Sequence, residues 1–287
     1  MPIDGASQVL GVFGDPVAHS LSPFMHARFA EQTRTNTAYV PYHVRPEGLE
    51  TALFALPALG IRGVNVTVPH KEAVHRLLDD HSDAARQIGA VNTVVNEDGH
   101  LWGDNTDAAG FRGDLEAHFP QRLWERDGAV VLGAGGAARA AVYALAAAGT
   151  APLVVANRSR DKAEALVAEL APSHGVACDL SAEALEERLA ETALLVNTTS
   201  IGLEGDSFPD LPLHRLPSSA SVYDLIYKPA RTPLLQAAEQ RGLAVANGLG
   251  MLVRQGAVSY ARWTGQEPVV QPVLERLQSE FGIGAPV

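Results

Sequence analysis

Residues 128–149 read GAVVLGAGGAARAAVYALAAAG. A short apolar run ends in Gly133, Ala134, Gly135 and Gly136, and an Ala-rich stretch follows at once. The run has the length of a buried strand, and alanine has the strongest intrinsic preference for helix. Gly133, Gly135 and Ala138 fit the spacing G-x-G-x-x-G/A. In a strand–turn–helix setting the first glycine permits a tight turn, and the second lets the backbone approach a pyrophosphate. The third small residue lets the helix pack on the strand. The helix start adds free N–H groups and a partial positive charge. This order predicts a Rossmann dinucleotide-binding domain. Glycine turns also serve plain strand–helix packing, so the next strand matters.

That strand, APLVVANRS, ends in Asn157, Arg158 and Ser159, with Lys162 one turn on. A site for the non-phosphorylated cofactor carries Asp or Glu roughly twenty residues beyond the glycines, on the ribose 2′-OH. No acid stands at this strand tip. A guanidinium matches phosphate geometry and stacks on adenine, so the cluster predicts NADP. The plainer alternative is a solvated helix start with scattered charges.

The rest of the chain alternates strand and helix. QVLGVFG (8–14), TAYVPYHV (37–44) and RGVNVTV (62–68) read as strands. SPFMHARFAEQT (22–33, with Pro23 in its first turn), 46–59 and 69–80 read as helices. AVNTVVNEDGHLWGDN (90–105) reads as two strands joined at Glu97-Asp98-Gly99, a hairpin signal. LLVNTT (194–199) and SVYDLIY (221–227) read as buried strands, and the last forty or so residues as helices. Such alternation predicts mainly parallel sheets. With 287 residues the chain is long enough for two domains.

Polar residues gather at strand ends. Asn65 and Thr67 share a strand face by the period of two, and Lys71 follows in the first turn of a helix. GAVNT (89–93) and DNTD (104–107) are further polar strand ends. Each alone is ordinary turn or cap chemistry, and Asp107 is a fitting helix cap. Several in one domain look like the floor of one polar cleft. In GDPVAHSLSPFMH (14–26), Ser20 and Ser22 sit in no G-x-S-x-G elbow. His19 and His26 have no nearby acid or cysteine to complete a metal set, so no metal is expected and both histidines read as structural or solvent-facing.

Composition excludes several classes. Hydrophobic residues make up 46% and charged residues 19%, as in soluble globular chains. A net charge of −11 argues against nucleic acid as the main partner. The single cysteine, Cys178, forbids an intrachain disulfide and fits a reducing compartment. The N-terminal MPIDGASQVLGVFG lacks the regions of a signal peptide, and no apolar run reaches membrane-span length. A cytoplasmic protein, monomer or homodimer, with a small-molecule substrate is expected.

Taken together and in order, GDPVAHSLSPFMH, NVTVPHK (65–71), GAVNT, DNTD, GAGGAAR (133–139), NRS (157–159), NTTS (197–200), YDLIYKPARTPL (223–234) and GLGMLVRQ (248–255) resemble the shikimate dehydrogenase family. The resemblance runs over essentially the whole chain. It implies two α/β domains: an N-terminal substrate-binding domain, 1–106 with C-terminal helices 248–287 returning to it, and a Rossmann domain, 107–247. It implies NADPH-dependent reduction of 3-dehydroshikimate to shikimate in aromatic amino-acid biosynthesis. Ser20 and Ser22 would bind the substrate carboxylate, with Tyr227 beside it. Asn65, Thr67, Asn92, Asp107 and Gln255 would hold its hydroxyls, and Lys71 and Asp107 would form the catalytic pair. Gly133, Ala134, Gly135, Gly136 and Ala137 would hold the pyrophosphate, and Asn157, Arg158, Ser159 and Lys162 the 2′-phosphate region. Leu225, Gly248 and Met251 would line the nicotinamide pocket, with Thr198 and Asp83 also on the cofactor side. One departure is Ala27, where the family often has Asn. A quinate/shikimate or aminoshikimate-type enzyme, or a non-catalytic sensor of the same fold, are the alternatives. Asn157-Arg158 argues against an NAD-preferring quinate enzyme, and intact Lys71 and Asp107 argue against a sensor.

Overall fold

The computed structural model describes residues 3–283. The chain divides into two units. The first runs to Gly110 and adds Val253–Glu275; the second holds Phe111–Leu252 and continues from Arg276. Among the described residues no helix is long and apolar enough to cross a membrane.

The elements up to the partition are β1 (Gln8–Gly14), α1 (Ser22–Thr33), β2 (Thr37–His43), α2 (Leu49–Phe54), β3 (Ile61–Val66), α3 (Lys71–Leu77), β4 (Asp80–His81), α4 (Asp83–Ile88), β5 (Thr93–Glu97), β6 (His100–Asp104) and α5 (Asp107–His118). Beyond them come α6 (Trp124–Asp127), β7 (Ala129–Leu132), α7 (Gly136–Ala147), β8 (Leu153–Asn157), α8 (Arg160–Leu170), β9 (Gly175–Asp179), α9 (Ala182–Ala190), β10 (Leu194–Asn197), β11 (Ser221–Asp224), α10 (Pro233–Gln240), β12 (Ala244–Asn247), α11 (Leu249–Thr264) and α12 (Val270–Phe281).

The first unit's sheet has the order β2-β1-β3-β5-β6-β4. It is mainly parallel as expected, with β5 alone reversed, antiparallel to both β3 and β6. A two-residue turn joins β5 to β6, and such a turn links only antiparallel strands. Asp98 and Gly99 both have positive φ, 53° and 97°, as a type I′ hairpin turn requires. Helix 46–59 shrinks to a 3-10 turn at Pro46–Gly48 and α2, since Pro57 disfavours helical backbone in the residue before it. Helix 69–80 shrinks to α3, and Leu78 is already extended as the chain enters β4. α4, which the sequence reading missed, starts at Ser82, whose hydroxyl accepts from Ala85 N at 3.1 Å. Phe13, Leu53, Val64, Val74 and Val94 pack in one cluster of this unit's core.

The second unit's sheet has the order β12-β11-β10-β7-β8-β9, every neighbouring pair parallel. Counted within the unit this is 3-2-1-4-5-6, the Rossmann arrangement. β7 and the first three residues of β10 are apolar and the whole of each strand is buried, as parallel strands covered on both faces must be. Strand order reverses between β7 and β10, where open α/β sheets bind ligands beyond the strands' carboxyl ends. Gly133 and Thr198 stand there, each next after its strand. The predicted strands 194–199 and 221–227 end at Asn197 and Asp224.

Candidate active site

Lys71 opens α3 and Asp107 opens α5. A cation in a helix's first turn opposes the helix dipole and an anion agrees with it. The two side chains offset that conflict directly: Lys71 Nζ donates to Asp107 Oδ2 at 2.6 Å, with exposures of 19% and 8%. Both ends of the pair are anchored. Val91 N donates to the Lys71 carbonyl at 2.9 Å, and the buried His70 donates from Nε2 to the Val44 carbonyl at 2.6 Å. Asp107 N donates to Asn105 Oδ1 at 3.1 Å.

Asn92 connects this pair to α11. Its Nδ2 donates to Asp107 Oδ1 at 2.8 Å, Thr106 Oγ1 at 3.0 Å and Gln255 Oε1 at 3.2 Å. Its Oδ1 accepts from Thr106 N at 2.8 Å. A carboxylate only accepts and a backbone N–H only donates, so the amide orientation is fixed. Asn65 is buried on β3; its Nδ2 reaches the Asn92 carbonyl at 3.2 Å and Ser259 Oγ at 2.9 Å. Thr67 lies just past β3, half-buried, with its N–H on the Phe13 carbonyl at 2.9 Å. Ser259 stands one turn after Gln255 and also meets Thr93 and Thr106 at 2.7 and 3.1 Å. Lys71, Asp107, Asn92, Asn65 and Gln255 thus join one polar network. Thr93, Thr106 and Ser259 are buried members of it that the sequence reading did not single out. Only the i, i+4 spacing of Gln255 and Ser259 could have pointed to the last.

Ser20 and Ser22 stand at the start of α1. Ser22 N donates to Ser20 Oγ at 3.3 Å, and Leu21, the N-cap, offers no side-chain cap. Two hydroxyls beside an uncapped N-terminus suit a carboxylate. His26 is buried at 1% exposure, while His19 and Ala27 are exposed.

In the second unit Gly133 has φ +110°, and a Cβ there would fall 2.6 Å from Thr198 Oγ1. Thr198 Oγ1 donates to the Leu132 carbonyl at 2.7 Å. Gly135 is the N-cap of α7 with no side-chain cap, and a Cβ on Gly135 or Gly136 would meet nothing within 4 Å. Uncapped N–H groups over open space fit a pyrophosphate. Asn157, at the tip of β8, donates to the Ser159 carbonyl at 2.9 Å, and Arg158, Ser159 and Lys162 are exposed.

A model of the shikimate dehydrogenase substrate binding domain matches residues 12–94. One described as shikimate / quinate 5-dehydrogenase matches 117–202, and one of the shikimate 5'-dehydrogenase C-terminal domain matches 248–278. A shikimate dehydrogenase (NADP(+)) of Paramagnetospirillum magneticum is 48% identical over 95% of this chain and 98% of its own. This chain belongs to the shikimate dehydrogenase family. Among solved structures, Thermus thermophilus shikimate 5-dehydrogenase in complex with NADP(H) and shikimate matches at TM-score 0.84 and 39% identity, over 95% of this chain and 99% of that one. The Listeria monocytogenes enzyme, in complex with shikimate and NAD, matches at 0.88 and 33%, over 96% and 98%.

The remaining residues that the family resemblance singles out are placed as follows. Tyr227 follows β11 in the second unit, and burial pushes its phenol above the ordinary value. Gly248 packs so closely on Leu225 that a Cβ would overlap the Leu225 carbonyl. Met251 is buried in the first turn of α11. Asp83 is exposed in the first unit and ion-pairs with Arg86 at 2.8 Å. The loop after β11, which carries Leu225 and Tyr227, is tied down by Asp224. This fully buried carboxylate accepts from Asn197 Nδ2, Ile226 N and Thr232 Oγ1 at 3.0, 3.0 and 2.7 Å. Burial pushes its pKa up to about 6.

Proposed function

We infer that this chain is an NADP-dependent oxidoreductase that reduces 3-dehydroshikimate to shikimate, with Lys71 and Asp107 as the catalytic pair. The observation that carries the residue assignment is the 2.6 Å bond between Lys71 Nζ and Asp107 Oδ2, set inside a network of buried amides and hydroxyls. NADPH, when bound, supplies the hydride to the C3 carbonyl. The oxygen then needs a proton, and Lys71, oriented by Asp107, provides it. Ser20 and Ser22 hold the substrate carboxylate, with Tyr227 beside it. Asn65, Thr67, Asn92, Asp107 and Gln255 hold its hydroxyls.

Gly133 to Ala137 and Thr198 hold the cofactor's pyrophosphate region. Asn157, Arg158, Ser159 and Lys162 take its 2′-phosphate, Leu225, Gly248 and Met251 its nicotinamide, and Asp83 its amide. We assign the domain boundaries to 1–106 with 248–287 and to 107–247, and the compartment to the cytoplasm. Steady-state assays with shikimate and quinate, each with NADP and NAD, test the reading. Turnover fastest with shikimate and NADP is expected. Preference for quinate with NAD would reassign the substrate, and no turnover with any pair would leave a sensor.

A further inference from the structure

Tyr39 lies on β2, opposite Leu10 of β1. Its phenol donates to Asn65 Oδ1 at 2.7 Å. Burial pushes the phenol well above its ordinary pKa, and the neighbouring Ser22 hydroxyl opposes the shift. The group therefore remains an O–H donor. Its oxygen thus meets a residue of the hydroxyl-binding set.

Asn65 needs this donor. Its Nδ2 faces the Asn92 carbonyl at 3.2 Å, Thr93 Oγ1 at 3.2 Å and Ser259 Oγ at 2.9 Å. A carbonyl only accepts, so Nδ2 belongs on that side and Oδ1 on the other. Asn65 is 6% exposed, and a buried acceptor without a donor is costly. The phenol is itself held in place. Its ring stacks on His26 with centroids 4.0 Å apart and planes 3° from parallel. His26 is buried and neutral, its pKa lowered to about 3 by burial. On the α11 side, a Cβ on Gly256 would overlap Met25 and come 3.6 Å from His26 Nε2, so the stack has little room to shift.

We propose that Tyr39 is a positioning residue for substrate recognition: its phenol fixes the orientation of the Asn65 carboxamide. This rests on the reading that Asn65 binds shikimate. The test is a double-mutant cycle of Tyr39→Phe and Asn65→Ala, with kcat and KM measured for shikimate and for NADP. Tyr39→Phe is expected to raise KM for shikimate about five- to tenfold, the equivalent of one hydrogen bond, with kcat and KM for NADP within about twofold. On the Asn65→Ala background it should add less than about twofold, because contacting residues are not additive. A wild-type KM in Asn65→Ala would overturn the placement of Asn65 in the site and this role with it. A raised KM in Asn65→Ala, but no rise in Tyr39→Phe or effects that multiply in the double variant, would overturn the positioning role alone. A loss confined to kcat would also overturn it.

Discussion

Lys71 Nζ and Asp107 Oδ2 are 2.6 Å apart, and the other Asp107 oxygen accepts from Asn92. The carboxylate therefore orients the ammonium group while its own position is held from the far side. If Lys71 moves the proton, Lys71→Ala lowers kcat by roughly a hundredfold or more, the usual range for general acid–base loss. KM changes less, since Ser20, Ser22 and Gln255 remain. Asp107→Asn behaves similarly, and the double variant is less than additive because the pair acts as a unit. Pre-steady-state and steady-state kinetics of the three variants check this. A kcat within a few-fold of wild type for Lys71→Ala would leave the proton to another group.

Arg158 is exposed at the end of β8, beside Asn157, Ser159 and Lys162. A guanidinium meets a phosphate with two parallel hydrogen bonds, and a carboxylate in its place repels it. Arg158→Asp should cut kcat/KM with NADP far more than with NAD, at unchanged thermal stability. Equal losses with both cofactors would show that Arg158 does not read the 2′-phosphate.

Ser22 is buried at the first position of α1, and Ser20 sits two residues before it. If Ser22 holds the substrate carboxylate, Ser22→Ala removes one donor to it, a loss of about 1.5–3 kcal/mol for a hydrogen bond to a charged group. KM for shikimate should rise by that factor with kcat little changed. A collapse of kcat at constant KM would instead place Ser22 in the chemistry.

What the sequence made legible was local. Gly133 announced itself because its turn needs positive φ, Asp98-Gly99 because a type I′ turn needs it twice, and Pro23 because it belongs in a helix's first turn. The family motifs brought Lys71, Asp107, Asn65, Asn92 and Gln255 into one list, and five such residues do share a hydrogen-bond network. The rest depends on contacts far apart in sequence. Tyr39 reads as one aromatic in an edge strand until Asn65, twenty-six residues on, is folded against it. Asp224 reads as a strand end, and only the fold shows that Asn197 and Thr232 bury it. The hairpin turn made the antiparallel pairing of β5 with β6 legible, but its pairing with β3 was hidden, since pairing partners are not written in a strand's own alternation.

His26 and Asp224 give opposite dependences of stability on pH. Burial lowers the pKa of His26 from 6.5 to about 3, so between those values the unfolded chain binds a proton that the native protein does not. Stability from this group is complete above 6.5 and falls as pH drops, by about 2 kcal/mol at pH 5. Burial raises Asp224 from 3.8 to about 6, so between those values the native protein keeps a proton that the unfolded chain has released. Stability from this group is complete below 3.8 and falls as pH rises. Between about pH 4 and pH 6 the two slopes, each near 1.4 kcal/mol per pH unit, nearly cancel. Denaturant unfolding of His26→Gln, which cannot titrate, should therefore lose stability relative to wild type as pH rises through that window. Asp224→Asn should gain it over the same range. The absolute cost of each substitution drops out, because only the change of the difference with pH is compared. Parallel curves for wild type and both variants would show that neither group is held in its unusual protonation state by the fold.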